Sequence, residues 1–233
     1  IGSIVRDLVG MAFSVLVVDD GSVDGTEHEA LDNGAMVIRN KVNMGKGLAI
    51  REGIKYVVEK TNFEWVVIMD GDGQHHPEDV PPLMYGAARG DVDMVIGNRM
   101  SETHIMPSVR YWTNRFTSFV VSRLCRQRIP DSQCGFRLIS VDALKKMQLL
   151  SDKYDIESEM LIEAARYNMK VMSVPVKTIY GDEVSKINPM RDTVRFFNLV
   201  FKHYFGRDGI RRTTKKNGGG TAYPQGDSVK EGH

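Results

Sequence analysis

This 233-residue sequence predicts an α/β fold, a mostly parallel central sheet flanked by helices, and three observations predict it. Short β-branched runs alternate with stretches of helical periodicity. Two of those runs end in acidic, glycine-containing turns, Asp19-Asp20-Gly21-Ser22 and Asp70-Gly71-Asp72-Gly73, and open α/β sheets bind their ligands at that carboxyl edge. The composition is 42% hydrophobic and 26% charged with a net charge of +1, which fits a folded globular chain and excludes disordered, collagenous and bulk nucleic-acid-binding classes.

Ile1 to Val9 carries apolar residues at 1, 4, 5, 8 and 9, the stripe of an amphipathic helix. Phe13 to Val18 reads as a strand, Thr26 to Asn33 as a short helix and Ala35 to Arg39 as a second strand. Gly47 to Lys60, apolar at 48, 50, 54, 57 and 58, is a helix, and Glu64 to Met69 is a third strand. Pro77-Glu78-Asp79 opens a helix that runs to Arg89, because Pro and acids suit a first turn. Asp93 to Gly97 is a strand. Between Val109 and Arg128, Trp112, Phe116, Phe119, Val120 and Leu124 recur at helical spacing among Arg110, Arg115, Arg123, Arg126 and Arg128, an arginine-rich amphipathic helix. A strand near Phe136 to Ser140, helices at Val141 to Met147 and Ile156 to Tyr167, and a strand at Lys170 to Val176 complete the alternation. The folded domain is expected over residues 1–204, with 205–233 a basic, Gly-rich, disordered tail. No apolar run approaches the roughly 20 residues that cross a bilayer. Cys125 and Cys134 lack metal-ligand spacing and read as reduced thiols of a cytoplasmic protein.

Asp70-Gly71-Asp72-Gly73-Gln74 is the strongest chemical signal. Two carboxylates one residue apart on a turn can reach one hard divalent cation, Mg²⁺ or Mn²⁺, and leave room for phosphate oxygens as further ligands. An EF-hand is excluded, since its sixth and twelfth positions would be His75 and Pro81. Asp20 lies on the companion acidic turn, where Ser22 and Asp24 are better read as caps of the helix that follows. Asn43-Met44-Gly45-Lys46-Gly47 opens a helix with a cation beside backbone N–H groups, an anion seat that lacks the ending of a P-loop. His75 and His76 read as solvated loop histidines.

In order along the chain, Val17-Val-Asp-Asp-Gly-Ser-Val-Asp-Gly-Thr26, Asn43-x-Gly-Lys-Gly-x-Ala49, Met69-Asp-Gly-Asp-Gly-Gln-His75, Gly97-Asn-Arg99, Asp131-Ser-Gln-Cys-Gly-Phe-Arg137 and Ser185-Lys186 resemble the landmarks of family 2 glycosyltransferases of the GT-A fold. More narrowly, the chain resembles the dolichol-phosphate mannose synthase-like, polyprenyl-phosphate subgroup over residues 1 to 200. The resemblance implies a nucleotide diphosphate sugar donor, GDP-mannose or UDP-glucose. It assigns Asp20, Ser22, Lys46, Asp70 and Asp72 to donor binding, and Asp70, Asp72 and Gln74 to an Mg²⁺ or Mn²⁺ ion that neutralises the leaving diphosphate. It assigns Arg99, Arg115, Arg137, Ser185 and Lys186 to the acceptor phosphate, a role that suits guanidinium forks. Asp72 and Asp131 are the catalytic candidates. A polyprenyl phosphate, already anionic, attacks the anomeric carbon unaided with inversion, whereas a saccharide or protein hydroxyl needs a base, for which Asp131 is the candidate. Asp131 reads otherwise as a loop carboxylate paired with Arg137. Glu157 and Glu159 also match the family pattern, although first-turn acids favour a helix dipole regardless.

The family begins with a strand ending in a Pro-x-Tyr-Asn-Glu-like turn, which this sequence lacks, so about 20 to 40 upstream residues are expected. If that strand is truly absent, a non-catalytic sugar-nucleotide-binding protein becomes the rival reading. The arginine-rich helix, the Phe196-Phe197-Asn-Leu199-Val-Phe201 stretch and the basic Arg211 to Lys216 cluster suit peripheral contact with an anionic membrane on its cytoplasmic face.

Overall fold

The computed structural model describes residues 1–100, 108–152 and 155–177. The elements run α1 (Gly2–Gly10), β1 (Leu16–Asp19), α2 (Thr26–Asp32), β2 (Met36–Arg39), α3 (Lys46–Lys60), β3 (Trp65–Ile68), a 3-10 turn (Pro77–Asp79) leading into α4 (Val80–Arg89), β4 (Met94–Asn98), α5 (Ser108–Cys125), β5 (Arg137–Ser140), α6 (Val141–Lys146), α7 (Ile156–Arg166) and β6 (Val171–Pro175). Each element anticipated from periodicity is present, and every strand but β4, which keeps its length and starts one residue later, is shorter than the run that announces it. Ser185, Lys186, the 196–201 stretch, the 211–216 cluster and the expected 205–233 tail lie outside the described residues.

The strands form two sheets. β1 pairs in parallel with β2, and a second sheet has the order β3-β5-β4-β6. The expectation of a mostly parallel sheet holds for β1 with β2 and for β4 with β6, but β5 runs antiparallel to both β3 and β4. The chain leaves β4 at its carboxyl end, crosses through α5 and enters β5 from the same edge, so the first residue of β5 meets the last residues of its neighbours. Arg137 is thereby registered with Ile68 on one side and Ile96 on the other. The carboxyl edge of this sheet therefore collects the loops that follow β3 and β4 and the loop that precedes β5.

β4 is buried along Met94, Val95 and Ile96, and its continuous apolar run is that of a strand covered on both faces. These residues join Phe136, Leu138, Ile139, Ile156, Met160 and Leu161 in the main core, each fully buried side chain worth about 1.5–3 kcal/mol. A smaller cluster of Val5, Ala30, Ala35 and Val37 fixes α1 and α2 beside β2. α7 is unusual in burying three acids. Glu159 Oε2 accepts the backbone N–H groups of Leu150 and Ser151 at 3.0 and 2.9 Å, and Glu163 Oε2 accepts that of Gln148 at 3.0 Å, which ties down the 148–151 loop. A helix dipole alone does not account for these acids. Among the described residues no helix is long and apolar enough to cross a membrane.

Candidate functional site

The first acidic turn is built around its carboxylates. Asp20 accepts from Asn40 Nδ2 at 3.0 Å and from the backbone N–H groups of Met44 and Gly45 at 2.9 and 2.7 Å, folding the 40–45 segment against the end of β1. Gly21 has φ +79°, and a Cβ there would stand 2.7 Å from the Val42 carbonyl carbon, so the close loop approach requires glycine. Asp19, not singled out in the sequence, is buried at the end of β1: its Oδ1 accepts the Ser22 N–H at 2.8 Å, and its Oδ2, 3.6 Å from Arg39 Nε, has no hydrogen-bond partner among the described residues. Neither Ser22 nor Asp24 takes the expected capping position: the N-cap of α2 is Gly25, with no side-chain cap bond, while Asp24, one residue before it, accepts from Thr26 N and Oγ1 at 3.2 and 2.6 Å.

This folding places Lys46 as the first residue of α3. Its Nζ lies 2.7 Å from Asp70 Oδ1 and 2.6 Å from Glu157 Oε1. Burial works against the ammonium, but Glu157 and Asp70 outweigh it and hold the lysine charged, its pKa raised. The expected anion seat is not formed, because the Gly47 and Leu48 N–H groups point to the Asp152 carbonyl at 3.0 and 3.4 Å. Glu157, first read through the helix dipole, belongs to the site. Its Oε2 is buried with no hydrogen-bond partner among the described residues.

Asp72 is exposed, and its Oδ1 accepts the Gln74 N–H at 2.9 Å, which tightens the turn. His75 corrects the expectation of a solvated loop. It is buried and stacked on Phe136 with centroids 5.1 Å apart, and burial pushes its pKa down, opposed by Asp70. Asp70, Asp72 and Gln74 offer two carboxylates and an amide on one turn. Among the described residues no three His, Cys, Asp or Glu side chains form a closed metal centre. The oxygen-rich set suits Mg²⁺ or Mn²⁺ shared with phosphate oxygens rather than a protein-only cage. Gly135 gives it room: a Cβ there would stand 2.9 Å from Asp70 Oδ2 and 3.3 Å from Lys46 Nζ.

Arg99 and Asp131 form a buried bidentate pair, Nε to Oδ2 at 2.8 Å and Nη2 to Oδ1 at 3.0 Å. The Arg99 N–H and Asn114 Nδ2 also donate to Asp131, at 3.1 and 2.8 Å. Burial alone would raise the Asp131 pKa, but the Arg99 guanidinium and the Asn114 amide hold it below the usual carboxylate range. Asp131 is thus paired with Arg99, not Arg137, and a carboxylate saturated by donors is a weak proton acceptor, which counts against the general-base expectation. Arg137, 1% exposed, donates to the carbonyls of Cys134, Glu157 and Ser132. It clamps the loop before β5 to α7 and has no open face for an acceptor phosphate. Arg115 lies exposed on α5, Nη1 3.4 Å from the Tyr111 hydroxyl, and no contact joins it to Asp70, Lys46 or Arg99. Lys46 joins Asp70 and Glu157, Gly135 packs on Asp70 and Lys46, and His75 lies in the field of Asp70, Asp72, Lys46 and Arg99, which puts the Arg99–Asp131–Asn114 network beside them at the carboxyl edge of the four-stranded sheet. Asp20 clamps the loop that leads into Lys46 from the end of β1, in the other sheet, whereas Ser22 bonds Asp19 and Arg39 there, Arg115 lies outside these contacts and Arg137 is spent on carbonyls. The backbone position of Asp19, last in its strand, was the readable sign for that residue.

Residues 3–148 match the profile of the family described as Glycosyl transferase family 2. An uncharacterised protein of Methanocaldococcus jannaschii is 35% identical over 195 residues, covering 81% of this chain and 79% of its own length. A UDP-N-acetylglucosamine–dolichyl-phosphate N-acetylglucosaminyltransferase of Methanococcus voltae is 31% identical over 191 residues, covering 72% and 76%. Among solved structures, glucosyl-3-phosphoglycerate synthase of Mycobacterium tuberculosis in complex with Mg²⁺ and uridine diphosphate superposes with a TM-score of 0.64 at 17% identity, over 87% of this chain and 74% of that one, a likeness of fold.

Proposed function

We propose a reaction for this chain, which belongs to glycosyl transferase family 2 and is a glycosyltransferase of GT-A fold: transfer of a hexose-class sugar from a nucleotide diphosphate donor to a polyprenyl phosphate, with inversion. The observation that carries the reading is the Asp70–Asp72–Gln74 turn at the carboxyl end of β3, with Lys46 and Glu157 against it. The relative named for UDP-N-acetylglucosamine and dolichyl phosphate supports both the donor and the acceptor class.

Asp70, Asp72 and Gln74 would hold Mg²⁺ or Mn²⁺, which when bound supplies neutralisation of the charge that grows on the leaving diphosphate. Lys46 and Glu157 hold Asp70 in place. A phosphate oxygen of the acceptor forms the new bond to the anomeric carbon as the bond to the diphosphate oxygen breaks and the electron pair leaves with the nucleotide. No proton has to be removed. An Asp131 already bonded to Arg99 and Asn114 favours this acceptor over a hydroxyl, which would need a base.

Transfer is assayed from labelled GDP-mannose, UDP-glucose and UDP-N-acetylglucosamine to a short polyprenyl phosphate, with Mn²⁺ or EDTA. The expected result is a labelled lipid from one donor, abolished by EDTA. Nucleotide release without labelled lipid would overturn the acceptor, and an EDTA-insensitive product would overturn the metal. Gly135→Ala, whose methyl would crowd Asp70 and Lys46, is expected to cut transfer by about tenfold to a hundredfold through misplaced ligands, with little change in melting temperature.

A further inference from the structure

Lys46 sits on the carboxylate that a metal ion would need. Its ammonium touches both oxygens of Asp70, Oδ1 at 2.7 Å and Oδ2 at 2.9 Å, and reaches Glu157 Oε1 at 2.6 Å. An ammonium bridging two carboxylates takes up the negative charge that a hard divalent ion seeks from the same oxygens. The lysine has little room to move aside. It is the first residue of α3, whose Gly47 and Leu48 N–H groups are fixed on the Asp152 carbonyl, and Gly135 packs so closely that a Cβ there would stand 3.3 Å from Nζ. Glu157 holds the ammonium from the start of α7, with its Oε2 buried and without a hydrogen-bond partner among the described residues.

We propose that Lys46 selects the form in which the metal enters: its ammonium keeps the bare divalent ion off Asp70 and admits the ion as its chelate with a nucleoside diphosphate. The inference deepens the proposed reaction and rests on its reading of the Asp70 turn as the seat of the metal. Charge gives the selection its sign. Toward a bare dication Lys46 is a repelling charge that cancels one carboxylate, whereas toward a chelate whose phosphates leave it net negative the same ammonium attracts. Asp70 has to give up at least one of its two contacts with Nζ, and Glu157 retains the ammonium when it does. Metal and donor therefore arrive together, and the site does not fill with an ion that has no sugar nucleotide to activate.

The test is Mn²⁺ binding, followed by the electron paramagnetic resonance signal of the free ion, without nucleotide and with saturating GDP or UDP, in wild type, Lys46→Gln and Lys46→Arg. The expected result is that the two affinities of Lys46→Gln move in opposite directions, bare Mn²⁺ at least about tenfold tighter than in wild type and Mn²⁺ with nucleotide at least about tenfold weaker. Lys46→Arg, which keeps the charge, should resemble wild type in both. Melting curves give a second readout: Mn²⁺ alone should raise the melting temperature of Lys46→Gln, where Glu157 has lost its counter-charge, and leave that of wild type unchanged. A loss of both affinities in Lys46→Gln would make Lys46 a mere tether for Asp70 and overturn the inference, as would affinities that the substitution leaves unchanged. Wild type that holds bare Mn²⁺ as tightly as Mn²⁺ with nucleotide would overturn it as well, and that comparison needs no variant to fold. Either failure with nucleotide-dependent Mn²⁺ binding intact in wild type sinks this inference alone, whereas wild type that binds Mn²⁺ under neither condition sinks the metal reading beneath it.

Discussion

Asp70→Asn is expected to lower sugar transfer by on the order of 10²–10³-fold while the protein stays folded. Asparagine keeps the shape of the side chain and removes the charge, so what is lost is the hard anionic ligand and the counter-charge to Lys46. The fold tolerates that loss. Asp70 is partly solvent-exposed, and Lys46 retains Glu157 Oε1 at 2.6 Å, so no buried cation is stranded. Weaker Mn²⁺-dependent binding of nucleoside diphosphate should accompany the kinetic loss, because the same carboxylate serves both. The measurement is kcat and KM across an Mn²⁺ titration, with the melting curve as control. Transfer within a few-fold of wild type at saturating Mn²⁺ would remove Asp70 from the site. A large loss together with a collapsed melting curve would show that the residue serves the fold instead.

The contrast among the acidic residues shows what a sequence discloses and what it hides. Asp70 and Asp72 were legible because their signal is local: a buried strand, a glycine-punctuated turn and two carboxylates fall within a few residues. Asp20 was legible for the same reason, although its use of the Met44 and Gly45 N–H groups as a loop clamp was not. Glu157 matched the family pattern, but its contact with Lys46, far away in the chain, was not readable, because a first-turn acid of α7 is accounted for by the helix dipole alone. Arg137 misled for the opposite reason. An arginine in a motif loop suggests an anion site, but β5 enters the sheet antiparallel between β3 and β4, and that register buries its first side chain among carbonyls. The exposed aromatics of α5, Trp112, Phe116 and Phe119, follow the same rule. Periodicity gives the stripe, but which side faces the protein is decided by Asn114 and Ser118 meeting Asp131 and Ser132 across the fold.

Asp131→Ala is expected to cost about 3–5 kcal/mol of stability, the penalty for removing one partner of a buried ion pair. At roughly 2–4 °C per kcal/mol for a chain of this size, the melting temperature falls by about 6–20 °C. The residue is 1% exposed and accepts from Arg99 N, Nε and Nη2 and from Asn114 Nδ2, so its removal takes the bidentate carboxylate from a buried guanidinium and an acceptor from a buried amide at once. The pH dependence has a definite sign. Because the folded-state pKa is held below the ordinary value near 4, the carboxylate stabilises the fold above that pH, and its contribution is lost as pH falls through the lower folded value. Denaturant midpoints measured from pH 7 down to pH 3 should therefore decline more steeply for wild type than for Asp131→Ala. Asp131→Asn separates structure from chemistry, since it keeps the shape but turns one acceptor into a donor facing Arg99. With a phosphate acceptor, any transfer that Asp131→Asn retains after correction for the folded fraction should show the same pH profile as wild type. If Asp131→Asn instead remains as stable as wild type and abolishes transfer, while wild type loses activity on the acidic limb of its pH profile as a carboxylate protonates, Asp131 is a proton acceptor, and the acceptor substrate is a hydroxyl.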